Sequence, residues 1–82
     1  MVHNLKVRRL RRIGASEYLQ EVWGISRTPK TLAKLAVTGG GPLFEKDGRI
    51  PLYQPMNLDK FAREQLSQPV RSTAELRLPH DR

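Results

Sequence analysis

Three glycines and a proline, Gly39, Gly40, Gly41 and Pro42, stand in the middle of an 82-residue chain. No helix runs through such a stretch, because glycine readily takes the left-handed conformation that ends helices and proline lacks the donor that would continue one. Apolar residues before the break recur at helical spacing. After it, "LFEKDGRIPLY" consists of two short apolar-rich runs around Asp47-Gly48, a strong hairpin signal. Strands are expected near 43–46 and 49–53, with Pro51 at an edge because it cannot donate to a ladder. A phosphate-cradling loop would be another use for three glycines. It needs a Gly-Lys-Ser/Thr ending and a following helix, and the sequence has neither.

Two helical patterns precede the break. Ala15, Tyr18, Leu19 and Val22 make one apolar stripe, opened by Gly14 or Ser16 and ended by Gly24, after which Ile25 turns an apolar group inward. The second helix is expected to start at Thr28, a good cap, with Pro29 at the first helical position where a missing N–H is no loss. Leu32, Leu35 and Ala36 form its buried face. Lys30, Lys34, Val37 and Thr38 project from the other side, with Thr31 on the flank. That face carries lysines and threonines and no acid, whereas an ordinary solvated face mixes both signs. A third helix follows the hairpin, with Leu58, Phe61, Ala62 and Gln65/Leu66 at helical spacing, Asn57 as its cap and Asp59 in its first turn. Leu58 and Phe61 should close the core beneath the hairpin.

These patterns predict one small α+β domain over 13–66, with room for a single modest core. Residues 1–12 hold five of the fifteen Lys and Arg and little apolar periodicity, and read as a flexible basic arm. Residues 67–82, with two prolines and few large apolar groups, read as a disordered tail in which "STAELRL" is a short helical exception.

Charge narrows the partner. Fifteen basic against eight acidic residues leave +7, clustered rather than spread, which suits a polyanion. The absence of cysteine excludes a disulfide framework, a Cys-type zinc site and a thiol nucleophile. No apolar run approaches the roughly 20 residues of a membrane span. The basic start lacks the apolar segment of a secretory signal, so a cytoplasmic, nucleoid-associated protein is expected. His3 and His80 lie in the two ends, and Glu17, Glu21, Glu45, Asp47, Asp59 and Glu64 are scattered, so no acid–base pair or metal-ligand set is apparent. No enzyme activity, cofactor or metal is expected.

Two helices joined by a short glycine-containing turn, then a hairpin with Lys46 and Arg49 beside its turn, form a helix-turn-helix with a wing. The order Tyr18-Leu19, Gly24-Ile25-Ser26, Thr31-Leu32, the 39–42 break, Phe44, Gly48, Tyr53 and Leu58-Asp59 resembles the MerR-type winged helix-turn-helix of excisionases and AlpA-like phage regulators, over residues 13–66. "SRTP" lengthens the link before Thr31, so Thr28 rather than Ser26 should cap the second helix. Met56 stands where that family commonly has a small polar cap before its last helix.

The resemblance implies that the second helix and wing contact double-stranded DNA. On this chain that means Arg27, Lys30, Thr31, Lys34 and Thr38, then Lys46 and Arg49. Apart from the resemblance, the cationic stretch Lys6–Arg12, with Arg11 and Arg12 at its end, can add phosphate contacts. The resemblance also implies a recombination directionality factor that binds arrayed attachment-site repeats cooperatively and bends them for a tyrosine or serine integrase. The alternatives are a transcriptional regulator of a phage or mobile element, and a protein-interaction module. With no dedicated dimerisation helix expected after residue 66, cooperation would arise between neighbouring copies on DNA.

Overall fold

The computed structural model describes residues 7–74 as three helices and a two-stranded antiparallel hairpin. Helix α1, Arg12–Tyr18, continues directly into a π-helical segment, Leu19–Trp23. Helix α2 spans Pro29–Thr38, strands β1 and β2 span Glu45–Asp47 and Ile50–Leu52, and helix α3 spans Pro55–Gln65.

Helix α1 opens at Arg12, ahead of both expected starts, Gly14 and Ser16. The cause lies one residue earlier. Leu10 is held extended against Tyr53: its N–H donates to the Tyr53 carbonyl at 2.8 Å, and the Tyr53 N–H donates back at 2.7 Å. The chain turns helical as soon as this pairing ends. The expected stripe holds for Ala15, Tyr18 and Leu19 but fails at Val22, which is 57% exposed. A π turn carries an extra residue, so the phase slips by one and Trp23 packs on the core instead. Gly24 ends the segment as expected, its N–H on the Gln20 carbonyl while the Ile25 N–H reaches Leu19.

Helix α2 begins as its sequence predicts. Thr28 Oγ1 accepts the Thr31 N–H at 3.1 Å and Pro29 takes the first position. Leu32 is fully buried, while Leu35 and Ala36 are half-buried. The three glycines that follow are all required. Gly39 and Gly40 have φ of 95° and 94°, and a Cβ on Gly41 would lie 2.9 Å from that of Leu35.

The hairpin exists, but its strands are shorter than expected and its turn lies one residue later than Asp47-Gly48. Asp47 pairs with Ile50, Lys46 with Pro51 and Glu45 with Leu52, which leaves Gly48 and Arg49 as the loop. Gly48 alone in the hairpin has positive φ. A two-residue loop with glycine first and an ordinary residue second is the type II′ arrangement, so this glycine selects the register. Pro51 sits opposite Lys46, where its missing donor faces away from β1.

Helix α3 starts at Pro55, so Asn57 is its third residue rather than its cap, and Asp59 lies beyond the first turn. The Gln54 carbonyl instead receives the N–H groups of Asn57 and Leu58, and Pro55 suits the first position through its fixed φ. Leu58, Phe61 and Ala62 are buried as expected, whereas Leu66 follows the helix and is 47% exposed. With Ala15, Leu19, Leu32 and Tyr53 they make the core, flanked by Leu10, Tyr18, Trp23, Ile25, Leu35 and Phe44.

Two polar devices brace this core. Asp59 Oδ1 accepts from the Tyr18 hydroxyl and the Trp23 indole N–H, each at 2.8 Å, and so ties α3 to α1. That bond, first, and then burial raise the Tyr18 hydroxyl's pKa. Across the sheet, Arg9 Nε donates to Glu45 Oε1 at 2.8 Å and Gln54 Nε2 donates to the same oxygen at 3.0 Å, which holds the Glu45 carboxyl below the ordinary carboxylate range. Residues 9–12 therefore belong to the fold, and the basic arm expected over 1–12 is shorter by these four. Residues 67–74 are exposed and form no strand. Lys6, His3, His80 and most of the helix expected over 72–78 lie outside the described residues.

Candidate nucleic-acid interface

Helix α2 packs on α1 through its apolar side and leaves the opposite side open. Lys30, Thr31, Lys34 and Thr38 are all exposed, and Val37 between them is 86% exposed. Thr38 Oγ1 donates to the Lys34 carbonyl at 3.1 Å, and Thr31 is engaged in the cap. The two lysines, one helical turn apart, thus stand on a face whose threonine hydroxyls are already engaged, Thr31 by the Thr28 side chain and Thr38 by a backbone carbonyl.

The hairpin side is also basic. Lys46 and Arg49 are exposed, the first on β1 and the second in the loop. Arg49 meets the other end of the domain: with Ile50 and Pro51 it lines a cleft of about 310 Å³, whose far wall is Arg11, Arg12 and Ile13. Arg11 immediately precedes α1 and Arg12 opens it. The Leu10–Tyr53 pairing brings these arginines to the hairpin.

The cations fall into two groups. Arg9 is bonded to Glu45, and Lys60 pairs with Glu64 at 3.2 Å. Arg8 lies over the Tyr18 ring and Arg63 over Trp23. Arg27 donates to the Ser26 carbonyl and to Gln65 Oε1, and sits 5.9 Å from the Phe61 ring centre. Arg27 therefore braces the α1–α2 link against α3, with two of its five N–H groups already used. By contrast the side chains of Arg11, Arg12, Lys30, Lys34, Lys46 and Arg49 make no hydrogen bond or ion pair with any described residue. These six are the sequence candidates other than Arg27 and the two threonines.

No family model, curated protein or solved structure matches the chain.

Among the described residues no helix is long and apolar enough to cross a membrane, and no group of three or more His, Asp or Glu could hold a metal ion. No sequence signal marks the cleft itself. Arg11 and Arg49 are brought together by a backbone pairing between Leu10 and Tyr53, and neither residue announces that partner in its side chain. Ile13, 65% exposed at the cleft's edge, likewise falls off every expected apolar stripe.

Proposed function

We propose that this chain binds double-stranded DNA as a winged helix-turn-helix, with α1 and α2 as the helix pair, α2 as the recognition helix and the β1–β2 hairpin as the wing. In the fuller form of the proposal it is an excisionase-like directionality factor. Several copies occupy adjacent attachment-site repeats and bend the duplex for an integrase. The observation that carries the reading is the sorting of the cations. Those on α2, the hairpin and the start of α1 have no acceptor among the described residues, while Arg8, Arg9, Arg27, Lys60 and Arg63 are engaged by the fold. A surface that keeps its guanidinium and ammonium donors free is suited to phosphate oxygens and base edges.

Binding sites selected from a random duplex library supply the probe. Lys34→Ala, in the middle of the exposed face, should then weaken binding by about 1–3 kcal/mol at fixed salt if Lys34 reads a base edge. Unchanged affinity removes α2 from the recognition role. If selection recovers no preferred sequence, and Lys30 and Lys34 can both be replaced without effect, a protein-interaction module becomes the better reading.

A further inference from the structure

The cleft between the start of α1 and the hairpin has a composition that general attraction to DNA does not require. We propose that it is a preformed seat for one sugar–phosphate unit of a nucleic-acid backbone. The identity of its natural occupant rests on the DNA-binding reading; the chemistry of the seat does not.

Three arginines, Arg11, Arg12 and Arg49, line this single cleft, and no acidic residue does. None of the three has an acceptor among the described residues, and Arg12 Nε is out of contact with solvent without one. Folded proteins rarely leave a buried donor unmatched, still less one on a permanently charged group. An anion drawn into the cleft offsets that charge. The other half of the lining is Ile13, Ile50 and Pro51, which offer a bare inorganic anion nothing. A deoxyribose ring beside its phosphate presents an apolar face next to a charged one, and so matches both halves.

The seat is also held in place. Arg11 and Arg12 are fixed at the junction of an extended pairing and a helix, and Arg49 lies in a two-residue loop. The backbone needs little further ordering, and the side chains are what a ligand would fix. Two other clefts among the described residues lack the combination. One beside Arg8 also carries Glu17 and Glu21, and one at the glycine turn is lined by apolar residues and backbone alone.

The test follows the side-chain Nε–Hε resonances of the full chain, isotope-labelled on arginine, during titration with deoxyribose 5-phosphate, inorganic phosphate and oligoglutamate. The signals of Arg12 and Arg49 should move together and saturate with deoxyribose 5-phosphate, which should bind more tightly than inorganic phosphate. Arg49→Gln, a change in an exposed loop that leaves folding intact, should weaken that binding about tenfold. Lys34→Gln should leave it unchanged. The absence of a saturable response overturns the seat, and an equal response to inorganic phosphate overturns its sugar half. Preference for oligoglutamate overturns it in favour of an acidic protein segment. A duplex that binds through Lys34 but leaves Arg12 and Arg49 unmoved also overturns the seat, while the DNA-binding reading stands. Saturable binding of deoxyribose 5-phosphate by a chain that binds no duplex supports the seat and removes the DNA-binding reading.

Discussion

Asp59 supplies one oxygen to two aromatic donors, the Tyr18 hydroxyl and the Trp23 indole. All three groups are partly buried, so water is a poor substitute for any of them. Asp59→Ala should therefore destabilise the fold by about 1–3 kcal/mol in denaturant unfolding, and Asp59→Asn by less because it keeps an acceptor. Equal stability of Asp59→Ala and the parent would show that solvent serves both donors. Nothing in the sequence announced this bracket. The spacing places Asp59 near the start of α3, but its partners lie on a π-helical segment whose phase no regular 3.6-residue period anticipates. Thr28 was legible for the opposite reason. A threonine directly before a proline satisfies its cap locally, whatever the rest of the fold does.

Among the elements, α2 could be read almost completely, because Thr28-Pro29 at one end and three glycines at the other fix its limits from within. The hairpin was legible in existence but not in register. Asp47-Gly48 and Gly48-Arg49 both offer a glycine to a two-residue loop, and the choice is made by positive φ at the first loop position alone. The shift places Arg49 in the loop itself and Lys46 opposite Pro51. If both cations meet phosphates, replacing the pair by Ala should flatten the dependence of log affinity on log salt by about two units. A slope equal to that of the parent would place the hairpin away from the duplex.

At the scale of the molecule, the proposed reading gives one recognition helix and one wing, enough for about one half-site, and a single module of that kind would bury only about 600–1,000 Å² on DNA. We expect a monomer in free solution that loads cooperatively onto repeated sites and bends them. Gel shifts and sedimentation on probes with one, two and three sites check this. Independent filling without bending favours the promoter-regulator reading, and a stable dimer in free solution contradicts the monomer. The individual cations of the candidate surface were legible in the sequence; the joining of Arg11 and Arg12 to Arg49 was not, since it depends on a pairing between residues far apart in the chain. That pairing has a kinetic side. The amides of Leu10 and Tyr53 are the two donors of one reciprocal pair, so a single peeling of the first described residues frees both to solvent. They should exchange hydrogen for deuterium at a common, intermediate rate, faster than the Leu32 amide, whose release requires α2 to open. A ligand that grips Arg11 and Arg12 should slow the two together, so that occupancy of the outer surface is registered at the Tyr53 amide, inside the fold.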